Sequence, residues 1–86
     1  MELKDTVKMM CSEDYKERFK AEYHQTKIRC EKLECFLARI EAAEDYGVGE
    51  APTHDCPIDL LRSQRNCMKA YLHDLKIRAI IENIDL

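Results

Sequence analysis

Both glycines and both prolines of the 86-residue chain, Gly47, Gly49, Pro52 and Pro57, fall within eleven consecutive positions. Glycine and proline are the strongest interrupters of regular backbone. The chain therefore divides into two breaker-free stretches joined by one loop, at residues 46–56. Upstream, Ser12 suits an N-cap, and Glu13 and Asp14 place negative charge at the positive end of a helix, which predicts a helix over 13–45. Downstream, Pro57 suits a first helical position capped by Asp55 or Cys56, with Asp59 in the first turn, which predicts a second helix over 57–83. In the N-terminal segment, 1–11, Leu3, Val7 and Met10 recur at i, i+4 and i+7 and predict a short amphipathic helix folding back on the hairpin.

The first long helix carries a coiled-coil seam, Phe19, Tyr23, Thr26, Cys30, Leu33, Leu37 and Ile40, at alternating spacings of three and four. The second offers Leu61, Met68, Leu72, Leu75 and Ala79, with Arg65 intruding. The fold class is all-α: an antiparallel two-helix hairpin with a short N-terminal helix, forming a single domain over 1–86. So short a chain buries a modest share of its surface and leans on regular helix packing or on self-association. A second stripe lies opposite each seam, Ala21, Ile28, Cys35 and Ala42 on one helix and Ser63, Ala70, Ile77 and Ile84 on the other. Two apolar faces on each helix predict a helical-bundle homo-oligomer, with Ala21, Ile28, Cys35, Ala42, Ala70, Ile77 and Ile84 at the subunit interface.

Composition narrows the function. Fourteen Lys and Arg stand against 17 Asp and Glu, a net charge of −3. Binding to a nucleic-acid polymer draws its affinity from counterion release at a basic face, so extended DNA or RNA is disfavoured. No stretch is long and apolar enough for a membrane span or a leader, and five cysteines without a CxxC pair fit reduced thiols. The expectation is a soluble cytoplasmic protein. His24, His54 and His73 lie far apart, and no nucleophile, metal-ligand or phosphate-loop motif is present. The chain is therefore expected to be no enzyme and to hold neither metal nor cofactor.

Binding is better supported. Tyr15, Arg18, Glu22, Tyr23, Gln25 and Arg29 gather on one half of the molecule, and an antiparallel register with its turn near residue 50 brings Arg78 near Tyr23. Guanidinium forks, aromatic faces and amide donors together can hold a phosphate and stack a base. In that reading Arg18, Arg29 and Arg78 take phosphates, Tyr15 and Tyr23 stack, and Glu22 and Gln25 read polar edges.

The run from Ser12 to Tyr23, continued by Gln25, Lys27, Arg29, Lys32 and Leu33, resembles small crAss-phage-related proteins of phages and prophages. Cys56 to Leu61 and the ending Arg78-Ala79-x-x-Glu82-x-Ile84-Asp85-Leu86 fit the same pattern. The layout of helix, Cys-Pro turn and helix is also similar to the hairpin sponges with which phages counter CBASS and Thoeris immunity. That likeness implies an oligomer that traps a small nucleotide signal between subunits without cleaving it. The alternatives are a protein-binding inhibitor of a host defence complex, in the manner of an anti-CRISPR, and a structural coiled-coil phage protein.

Overall fold

The computed structural model describes residues 1–86, all helix and loop, in a rod 47 × 24 × 19 Å. A 3-10 turn, Leu3–Thr6, runs into the one-turn helix α1, Val7–Met10. The long helices are α2, Tyr15–Tyr46, and α3, Ile58–Ile81. α2 packs against α3 on one side and against the N-terminal arm on another. Cross-helix pairs Tyr15 with Arg78, Glu22 with Tyr71 and Glu34 with Lys69 set the two long helices antiparallel.

The helix ends show where local chemistry departs from the sequence reading. The N-cap of α2 is Asp14 rather than Ser12; its carboxylate accepts from the Lys16 N–H at 3.0 Å. Ser12 instead accepts from the Asp14 N–H at 3.1 Å, so it fixes the capping residue. An anionic cap also answers the helix dipole, which a hydroxyl does less well. At the far end Gly47 takes a left-handed φ of 68°, and its N–H and that of Val48 turn back onto the Ala42 carbonyl. Pro57 sits at the N-cap position of α3, with no side-chain cap from Asp55 or Cys56.

α3 stops at Ile81, before the predicted 83, because Asn83 turns left-handed at φ 57°. The Ile84 N–H then reaches the Ala79 carbonyl at 2.8 Å and that of Asn83 the Ile80 carbonyl at 3.4 Å. This is a Schellman closure, in which an apolar residue beyond the left-handed position folds back on the last turn. Ile84 enters the core with Phe19, Tyr23, Leu75 and Ala79. It is therefore unavailable for the subunit interface expected of it.

Ala21 needs the same correction. It lies on the face of α2 turned from α3, yet it is 0% exposed, because the N-terminal arm packs there with Thr6 also buried. The chain thus covers part of its second stripe itself. Ile28 and Ala42 are half-buried, whereas Cys35, Ala70 and Ile77 are exposed. Only ten of the 86 residues are buried, and two of those lie on α3. The outer face of α3 leaves Ile80 and Ile81 at 81% and 75% exposure, an unusual cost for two large aliphatics in adjacent positions.

Candidate ligand-binding groove

On one flank of the hairpin, α2, α3 and the end of the arm enclose a groove of ≈ 570 Å³. Tyr15, Arg18, Glu22, Gln25 and Arg29 line it from α2 and Arg78 from α3, with Met10, Phe19 and Thr26 completing the wall. Positions 15, 18, 22, 25, 26 and 29 recur at threes and fours, which stacks their side chains along one stripe of the helix. Six of the seven ligand-binding residues expected from the sequence thus converge.

Tyr23 does not join them. It is 5% exposed at the centre of the seam, packed with Leu75 and Ala79, and its ring meets His24 edge-on at 5.2 Å. The expected Tyr23–Arg78 pairing gives way to Tyr15–Arg78, because the helices meet in another register at this end, with Tyr15 across from Arg78 and Glu22 across from Tyr71. Arg78 instead stays on the flank, with its guanidinium carbon 5.0 Å from the centre of the Phe19 ring.

Arg78 is the most firmly held cation of the groove. Its Nε donates to Glu82 Oε2 at 3.0 Å and its Nη2 to the Tyr15 hydroxyl at 2.5 Å, while that hydroxyl donates to Glu82 Oε1 at 2.9 Å. The Tyr15 ring stands at 61° to Phe19 with 6.2 Å between centres. Arg18 is steadied by donating from Nη1 to the Ser12 carbonyl at 2.8 Å. The Tyr71 hydroxyl donates to Glu22, which occupies one oxygen of that carboxylate. Phe19 and Glu82 went unremarked in the sequence reading of this site. Glu82 had a legible signal, since it stands four residues beyond Arg78 on one helix face. Met10 had none, because its place depends on how the arm folds back.

The electrostatics follow from these bonds. Hydrogen bonding to Glu82 raises the Tyr15 phenol above its ordinary value and raises the Arg78 guanidinium as well, so both keep their protons. Hydrogen bonding to Glu22 raises Tyr71 likewise, and burial raises the Cys30 thiol. A folded-state value above the unfolded one gives stability that is present at neutral pH and lost as pH rises through the folded value. Thermal melting is therefore expected to fall as pH is raised past about 9–10, the ordinary range of thiol and phenol. The Tyr15→Phe, Tyr71→Phe double variant should show a shallower fall by circular dichroism; an identical pH profile would contradict these bonds. His24 runs the opposite way: burial lowers it, so its contribution is lost as pH falls below about 6.5.

A mixed-charge groove of ≈ 360 Å³ lies on the other flank, around Tyr23, Lys27, Glu31, Lys69 and Lys76. No three His, Cys, Asp or Glu side chains cluster as metal ligands, and all five cysteines are free. No helix is long and apolar enough to cross a membrane.

The chain is thus a two-helix hairpin with guanidinium groups and aromatic side chains lining an open groove. A family model described as Sequestin matches residues 13–81, which span α2, the loop and α3. The chain belongs to the Sequestin family. No curated protein and no solved structure matched it.

Proposed function

We propose that this protein is a phage counter-defence factor that binds a small nucleotide-type immune signal in the Arg18–Arg29–Arg78 groove and withholds it without cleaving it. The observation that carries the reading is the groove itself. Three guanidinium groups and the exposed Tyr15 ring converge there, in a chain whose family is named for sequestration. Forked N–H donors suit phosphate oxygens, and an aromatic face beside a cation suits a base. The volume falls within the range of small-molecule sites, about 300–1,000 Å³. Retention without cleavage is tested by incubating the protein with cyclic di- and trinucleotides and ADP-ribose derivatives, then unfolding it and weighing what is released. Recovery of unchanged ligand supports the reading; a converted product would make the protein an enzyme.

The protein acts as a homo-oligomer in this reading, associating through the outer face of α3 where Ala70, Ile77, Ile80 and Ile81 are exposed. The double variant Ile77→Glu, Ile81→Glu is expected to sediment as a monomer with its helical circular dichroism intact. Wild-type protein that is itself monomeric at tens of micromolar (about the range where weak association is seen) would contradict the assembly.

A further inference from the structure

The N-terminal arm and α2 enclose a second groove of ≈ 560 Å³. It shares Met10, Gln25 and Arg29 with the first, so the two chambers adjoin along these residues. Their linings differ in kind. The first gathers three arginines and Glu22. The second is faced by Leu3, Val7 and Met10, with Lys4 at its edge and no carboxylate. Val7 and Met10 stand 58% and 38% exposed, so apolar surface continues outward from the cationic centre. None of the side-chain hydrogen bonds or ion pairs engages Gln25 or Arg29, which leaves the donors at the junction free. The arm also lies before the residues the family model matches, 13–81.

We infer that the two chambers form one cleft for a two-headed ligand, a dinucleotide joined through phosphates; this rests on the nucleotide reading above. The phosphates sit among Arg18, Arg29 and Arg78. One base lies in the first chamber against the exposed Tyr15 ring, and the second lies between the arm and α2 on Val7 and Met10. A one-headed nucleotide satisfies the arginines but leaves the arm's apolar wall in water. The second head covers that wall, and a flat base has both the apolar face for it and an edge for the Gln25 amide.

Calorimetry on the full chain separates the possibilities, with ADP and the dinucleotide of two adenosines bridged by a diphosphate as probes. They carry the same phosphate number and differ by one head. The dinucleotide is expected to bind about tenfold more tightly than ADP. Val7→Asn, at an exposed position, is expected to remove most of that advantage while ADP affinity changes by less than about twofold; circular dichroism checks that the variant is folded. Equal affinity for the two probes, or an equal loss for both in Val7→Asn, overturns the two-chamber cleft and leaves the arginine groove standing. Failure of both probes to bind folded wild-type protein overturns this inference, and silence from the cyclic nucleotides as well overturns the nucleotide reading beneath it.

Discussion

Arg78→Ala is expected to weaken nucleotide binding by about ten- to hundredfold while the protein stays folded. The size follows from what the guanidinium offers a phosphate. A hydrogen bond to a charged group contributes about 1.5–3 kcal/mol, which is about ten- to hundredfold in affinity. The stability loss is small for the opposite reason. The Arg78–Glu82 pair is half exposed and i,i+4 on one helix, such pairs contribute only about 0.3–0.5 kcal/mol to the fold, and the contact over Phe19 adds about 0.5–1 kcal/mol. The two effects therefore separate in one variant: calorimetry shows a large loss, thermal melting only a small one. Arg78→Lys should recover part of the affinity, since it keeps the charge and loses the planar fork. A loss of binding in proportion to a loss of melting temperature would reduce Arg78 to a structural residue.

Leu75→Ala is the substitution expected to damage the fold most. Leu75 is 1% exposed and is the largest contribution of α3 to the cluster with Phe19, Tyr23, Ala79 and Ile84. Truncating a buried leucine costs about 2–5 kcal/mol through lost transfer energy and the cavity left behind. Whole domains are stable by only about 5–15 kcal/mol, with small ones at the low end. With two buried residues on α3, nothing else on that helix compensates. Chemical denaturation should show most of the unfolding free energy gone, and ligand binding should fail along with it because Arg78 loses its platform. A change below about 1 kcal/mol, the ordinary scale of a surface substitution, would show that α3 is held mainly by other copies of the chain.

The hairpin was legible because its signals are local. Breakers confined to residues 47–57 and a regular seam from Phe19 to Ile40 leave few other folds. Most of the groove was legible too, since residues at threes and fours on one helix share a face whatever the helix packs against. The misreadings all depended on the third dimension. Ala21 and Ile84 looked like surface stripe, but an arm folding back and a Schellman closure covered them. Tyr23 looked available, but the same seam position that made it regular also buried it. Arg78 was assigned to the right groove and to the wrong ring, because a turn placed near residue 50 does not fix the register at the far end, where Tyr15 and not Tyr23 stands across from Arg78.

The central claim, that the arginine groove captures a nucleotide-type signal, is tested most directly by calorimetric titration of the folded wild-type protein. The titrants are cyclic di- and trinucleotides and ADP-ribose derivatives. Saturable binding of at least one of them, with affinity falling as salt is raised and abolished in Arg18→Ala, Arg78→Ala, is the predicted result. No binding heat from any of them, at several temperatures and with circular dichroism confirming the helices, would contradict it.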